Sequence, residues 1–381
     1  MPQTRRNANE KRLASVGVRR ILVFGLMLVL LGASCSDSSG GETGADAPSS
    51  STTRNTESEP TSGCGTDGQP KPGTERIEVA DDGPDRGGAR ELERVIPDSY
   101  DGISPQPLVL SLHGFTSTID QIDLFSGLPA AANSRGFVLL TPQALPATLL
   151  IGDTEIEAPF WNVLPEQADD IEGAKDDIGF LLGLIDDTVS ELCIDPDRVY
   201  VTGNSNGAGM SAALACASPG RFAAIAPVSG INLAGTCDDL APVSVITFHG
   251  DADPLVNHEG GSAVSAELDV PSVPDQTAAF AAAGGCDPDP ETSMPQDDIE
   301  ESRWTGCEPG IGVELFTVIG GGHTWPGMLN YVDTSSLTAS GDSQKLAEIA
   351  GVDLAVIAGH MTTSIEATNL MLDFFEAHPR P

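Results

Sequence analysis

The chain has 381 residues, 40% of them apolar, and carries 56 acidic against 19 basic side chains, a formal net charge of −37. That length and apolar content allow a sizeable buried core. So acidic a surface repels polyphosphate and anionic lipid, which speaks against nucleic-acid binding and against electrostatic docking onto membranes.

At the N-terminus, Arg5, Arg6, Lys11, Arg12, Arg19 and Arg20 precede an apolar run from Ile21 to Leu31, and Gly32, Ala33 and Ser34 follow it. The run is 11 residues long. A membrane-spanning helix needs roughly 20. Residues 1–34 therefore read as an export signal. Cys35 comes next, where a bacterial lipoprotein signal carries its lipidated cysteine. Gly32 departs from that pattern, and cleavage after Ser34 without lipidation is the alternative. Residues 35–63 are Ser, Thr, Gly, Glu, Asp and Pro with almost nothing apolar, the composition of a flexible tether. Residues 64–381 are then the folded domain. Its cysteines are Cys64, Cys193, Cys216, Cys237, Cys286 and Cys307. An even set in an exported chain reads as disulfides. Cys286 with Cys307 is the favoured pair, since they flank a Pro/Asp-rich loop whose closure contributes about 3 kcal/mol in the chain-entropy account. None lies in a C-x-x-C pair, so neither a metal nor a redox cofactor is expected.

From residue 74 onward, Arg76–Val79 and Arg90–Ile96 read as antiparallel-type strands. Leu108–Leu112, Phe137–Thr141, Val199–Thr202, Ala223–Val228, Val245–Phe248 and Val313–Val318 are continuous apolar or β-branched runs, as in strands buried on both faces. Asp177–Leu192 has helical apolar spacing, Ala208–Ala217 is a small-residue helix, and Ile365–Ala377 is a helix near the end of the chain. This alternation predicts an α/β fold with a mostly parallel central sheet and helices on both faces.

Gly203-Asn204-Ser205-Asn206-Gly207 is G-x-S-x-G between a strand and a helix. A sharp turn there lifts a serine hydroxyl above the sheet edge, and the helix N-terminus supplies backbone N–H groups for an oxyanion. A glycine turn without chemistry is the plainer reading, and the flanking elements weigh against it. Upstream, a buried strand ends in His113-Gly114-Phe115, whose loop would give the second oxyanion donor at Phe115 beside that of Asn206. His113 itself reads as structural. Downstream, Phe248-His249-Gly250-Asp251-Ala252-Asp253 offers two acids able to hold a histidine tautomer. Asp253, deeper in the loop, is preferred to Asp251, while His249 and His258 read as structural or exposed. Last, Gly320-Gly321-Gly322-His323-Thr324-Trp325 places a histidine on a glycine loop after a strand, a setting that His360 and His378 lack. Nucleophile, acid and base then run in the order Ser205, Asp253, His323, unlike either major serine-protease order.

As a set, the strings RVYVTGNSNGAGM, LSLHG, FHGDADPLV and GGGHTWPG resemble those of the polyhydroxybutyrate depolymerase and feruloyl esterase family, grouped with carbohydrate esterase family one. The resemblance covers about residues 64–381. It implies an α/β-hydrolase fold and a secreted carboxylic-ester hydrolase without metal or cofactor. It carries over Ser205, Asp253 and His323 as catalytic residues, with Phe115 and Asn206 at the oxyanion hole. Trp325 matches a groove-lining position, and Trp161 in the loop Ala158–Asn162 could offer a second flat wall to an acyl or aromatic group. The expected partner is an ester, either a polyester oligomer or a plant-wall ester. Residues 328–361 look like an insertion and a possible lid. Two other readings fit the same residues: a surface lipoprotein that binds esters or glycans without turnover, and a serine peptidase.

Overall fold

A computed structural model describes residues 63–80, 83, 86–151, 154–163, 171–231, 237, 240–261, 270–330, 351 and 353–380, all within the unit Ser58–Pro381. The expected signal, Cys35 and nearly all of the expected tether lie outside these residues, as does most of 328–361.

The central strands form where the aliphatic runs were read. β3 (Gln106–Leu112), β4 (Val138–Pro142), β7 (Ile194–Asn204), β8 (Ala224–Val228), β9 (Ser244–Gly250) and β12 (Val313–Val318) lie side by side in the order β4-β3-β7-β8-β9-β12, and every neighbouring pair is parallel. Antiparallel ribbons extend both ends of the sheet. β1 (Gly73–Val79) pairs with β2 (Arg90–Ile96), which borders β4; β10 (Glu291–Gln296) pairs with β11 (Ile299–Trp304), which borders β12. A separate hairpin, β5 (Pro146–Ile151) with β6 (Thr154–Pro159), follows β4.

Side-chain alternation explains why these runs are apolar throughout. Leu108, Leu110 and Leu112 of β3 pack into one core with Phe180, Leu181 and Ile185, whereas Val109 packs into another with Met371, Leu372 and Phe375. The first core holds α3 (Asp177–Glu191), α4 (Asn206–Ala217) and α5 (Val273–Ala283) against one face of the sheet. The second holds α1 (Ile119–Ser126), α2 (Leu128–Arg135) and α7 (Ala367–Ala377) against the other. A short α6 (Leu354–Ala358) precedes α7. With both faces covered, a strand has no polar side to show.

The strand order reverses at β3. The chain goes first to β4 on one side and, after the hairpin and α3, returns to β7 on the other. The loops leaving the C-terminal ends of β3 and β7 therefore diverge, and open α/β sheets form their ligand crevice at such a point.

All six cysteines from Cys64 onward are paired, as Cys64–Cys193, Cys216–Cys237 and Cys286–Cys307, the last being the pair favoured from spacing. The β5–β6 and β10–β11 ribbons and the helices α1, α2 and α5 were not anticipated. β10, Glu-Thr-Ser-Met-Pro-Gln, is exposed along its whole length and has no apolar face to reveal it.

Candidate active site

Ser205 stands between β7 and α4 with φ 57° and ψ −117°, in a region that L-residues avoid. Its N–H donates to Val228 O of β8 (2.9 Å), and its carbonyl accepts from Gly209 in the first turn of α4 (3.0 Å). The turn needs glycine after it: a Cβ on Gly207 would sit 2.2 Å from Leu112 O at the end of β3. The helix can therefore approach β3 only without a side chain at this position.

Two other non-glycine residues among those described have positive φ, Thr116 (66°) and Ser229 (54°). With Ser205 they sit just beyond the C-terminal ends of β3, β7 and β8, which are adjacent in the sheet. Strain gathered at one edge marks that edge as functional ground. Ser229 touches two parts of the site. Its hydroxyl donates to Thr324 O (3.0 Å), beside His323, and a Cβ on the next residue, Gly230, would lie 2.4 Å from Ser205 O.

The candidate acid and base lie in the loops that follow β9 and β12. Asp253 is 5% exposed, and its Oδ1 accepts N–H bonds from Leu255 (2.8 Å) and Val256 (3.0 Å). Its Oδ2 accepts from His323 Nδ1 at 2.7 Å. Burial works to raise the Asp253 pKa, but the adjoining His323 ring, its hydrogen bond and His249 outweigh burial and hold it below the usual value. Asp251 is exposed, and its Oδ1 accepts the Gly320 N–H (2.6 Å), so it shapes the glycine loop and does not touch the ring. The His323 N–H donates to Ile357 O (2.7 Å), and Gly321 bridges Gly359. The C-terminal part of 328–361 thus supports the histidine loop, and Met328 at its start is buried. At both ends the segment is structural.

Between these groups, no hydrogen bond joins His323 Nε2 to Ser205 Oγ among the described residues. The Phe115 and Asn206 N–H groups likewise have no acceptor among them. Gly114 brings the Phe115 loop to the elbow, its Cβ position being 3.3 Å from Ser205 Cβ. His113 is fully buried. Its Nε2 accepts from Ala144 N–H (3.0 Å), so Nδ1–H donates to Gly114 O (2.8 Å). Burial, only partly offset by that bond, pulls its pKa down to about 4. A ring fixed in one neutral tautomer is a structural part of the loop. His249 is as deeply buried. It donates from Nε2 to Val256 O (2.8 Å), stands 3.4 Å from Asp253 Oδ2, and is likewise lowered to about 4 by burial.

The two tryptophans expected to line a substrate groove require correction. Trp161 is 0% exposed and Trp325 2%. Their indole N–H groups are engaged, by His113 O (3.0 Å) and Thr368 Oγ1 (3.0 Å) respectively. A wall must present a face to its ligand, and neither ring does. The residues that the sequence reading missed are Thr116, Ser229, Ile357 and the side chain of Asn206. Only Ser229-Gly230, a turn dipeptide directly after an apolar strand, carried a local signal.

A doubly covered parallel sheet with a strained strand–serine–helix turn at its switch point is the α/β-hydrolase fold. Within that class, residues 99–287 match the family described as esterase PHB depolymerase. A Nocardia uniformis subsp. tsuyamanensis protein named as an esterase, NocK, is 31% identical over 58% of this chain and 66% of its own length. Feruloyl esterase B of Piromyces equi is 27% identical over 60% of this chain and 41% of its own. The chain thus spans between about two fifths and two thirds of the length of these relatives. The solved acetyl xylan esterase from Aspergillus awamori superposes with a TM-score of 0.47 at 17% identity, over 73% of this chain and 99% of that one.

Proposed function

We propose that this protein is an exported serine carboxylic-ester hydrolase that works through an acyl-enzyme. The observation that carries the reading is the buried Asp253–His323 hydrogen bond (2.7 Å), on the sheet edge where Ser205 occupies a strained turn. In this reading His323 Nε2 takes the Ser205 proton as Oγ attacks the ester carbonyl carbon, and Asp253 stabilises the imidazolium. The hydrogen bond between ring and hydroxyl forms as substrate binds, a contact often loose in the free enzyme. The Phe115 and Asn206 N–H groups receive the oxyanion. His323 returns the proton to the leaving alcohol. Water, activated by the same ring, then releases the acid and regenerates Ser205.

For substrate we propose hydroxyacyl, short-chain or aryl esters, in keeping with the names carried by the family and by the feruloyl esterase relative. Export is supported by the three disulfides, which belong to an oxidising compartment. A fluorophosphonate probe tests the chemistry. Stoichiometric labelling that disappears in Ser205→Ala is expected, and a folded protein that resists the probe and cleaves none of hydroxybutyryl, acetyl or feruloyl esters overturns the proposal. A preference for amides over these esters would point to a peptidase.

A further inference from the structure

The short loop Pro159-Phe160-Trp161, leaving the β5–β6 hairpin, touches both segments assigned above to the oxyanion. Toward the segment after β3, Pro159 O accepts the Thr116 N–H (3.0 Å) and the Phe160 ring meets Phe115 edge-on, with centroids 6.2 Å apart. On the same side, Trp161 Nε1–H donates to His113 O (3.0 Å). Toward the elbow, the Asn206 carboxamide engages both polar groups of the Trp161 backbone. The Trp161 N–H donates to Asn206 Oδ1 (2.7 Å), and Asn206 Nδ2–H donates to Trp161 O (2.9 Å). The loop is itself anchored from behind. The Asn162 N–H donates to Asp177 Oδ2 (2.7 Å), whose other oxygen takes buried Arg90 (2.6 Å).

We propose that this loop is a brace that fixes the separation of the Phe115 and Asn206 N–H groups, with Trp161 and the Asn206 side chain as positioning residues. The inference rests on the reading of those two N–H groups as oxyanion donors. An oxyanion hole works because its donors already stand about 2.7–3.1 Å from the place where charge will develop. The two donors belong to different elements: strand pairing and the approach of Gly207 to Leu112 bring those elements together, and the loop ties the two segments beyond them. A rigid indole with its N–H on one segment and its backbone on the other sets the gap between them. Loosening the brace should weaken the transition state and leave ground-state binding nearly untouched, since a ground-state carbonyl asks less of the hole.

The test is steady-state kinetics on a p-nitrophenyl ester for Trp161→Phe, which keeps an aromatic ring and deletes Nε1–H, and for Asn206→Ala and Asn206→Asp. Asn206→Asp nearly preserves shape and replaces the donor to Trp161 O with a carboxylate oxygen. For each variant kcat is expected to fall about 10- to 100-fold, with KM changing less than about threefold. An arylboronic acid, which forms a tetrahedral adduct on the serine, should lose affinity by a similar factor. The Trp161→Phe/Asn206→Ala double variant should lose less than the product of the single losses, because both act through one loop. Thermal unfolding separates folding defects from these effects. Folded variants with kcat within about twofold of the parent, or with losses confined to KM or to melting temperature, overturn the brace. The Ser205→Ala control tells the two failures apart: if it keeps activity, the site reading has failed; if it is inert while the brace variants turn over normally, only the brace has failed.

Discussion

At the ends of β3 and β7 the candidate reactive groups are placed by backbone geometry, whereas at the ends of β9 and β12 they are placed by side chains. On the first side, strained φ angles at Thr116 and Ser205 and the bare approach of Gly207 to Leu112 shape the turns that carry the main-chain N–H groups proposed for the oxyanion. On the second side, the Asp253 carboxylate collects two backbone N–H groups and an imidazole, and ordinary loops carry both residues. The difference teaches where each half is fragile. The backbone half fails through volume or lost bracing. The side-chain half fails through protonation or lost hydrogen bonds, and through volume only where its glycine loop meets Ile357 O and Gly250.

The largest expected effect is at the junction of the two halves. Ser205→Ala should reduce kcat for esters by on the order of a million-fold. It should leave the thermal midpoint nearly unchanged, since its structural demands are on the main chain. Near-normal turnover by the folded variant would end the assignment. Next comes the side-chain half. Asp253→Asn is expected to cost about ten-thousand-fold at neutral pH, because an amide in that place favours the wrong His323 tautomer. Asp251→Asn, which keeps an oxygen for the Gly320 N–H, should retain most of the activity; the opposite ranking would exchange the two acids.

Stability against pH probes one buried histidine from each half. His113 and His249 are both lowered to about 4 in the fold, against an ordinary value near 6.5. The unfolded chain therefore binds the proton first as pH falls, and the native state loses stability from about pH 6.5 down to about pH 4. For the pair this amounts to about 3 kcal/mol between pH 6.5 and pH 5. Melting curves at those two pH values measure it, and equal midpoints would mean that neither ring is held neutral. The smallest effect belongs to the backbone half. Gly207→Ala forces a methyl group against Leu112 O and should destabilise by about 1–3 kcal/mol in chemical denaturation. An unchanged denaturation midpoint would show that α4 can retreat from β3 at little cost.

The sequence made the two halves legible to different degrees. The six central strands were readable because burial on both faces removes polar residues from the run, and β12 matches its expected limits, Val313–Val318, residue for residue. The elbow was readable because its geometry demands glycine, which leaves a pattern in the sequence. Asp253 and His323 were readable only as residue types at strand ends; their 2.7 Å contact depends on two loops separated by 70 positions. The β5–β6 hairpin was not readable, and that miss led to the wrong role for Trp161. An aromatic residue in a Pro-flanked loop resembles a surface wall until the hairpin is seen to bring that loop under the elbow. Trp325 misled for a similar reason: Thr368 of α7, which caps its indole, lies 43 positions further on.

Cys64 pairs with Cys193, which immediately precedes β7, whereas Ser205 immediately follows that strand. Across the pairing with β3, Ile194 faces Gln106 and Gly203 faces Leu112, so the two ends are separated by the length of that 7-residue strand, roughly 20 Å at about 3.3 Å for each step. Gly63 is pressed against Leu192, and the Gly65 N–H donates to Gly102 O at the same end. The first described residues are thus stitched to the rim of the sheet farthest from Ser205. A tug on the chain at residue 63 is taken up by a covalent sulfur bond at that rim.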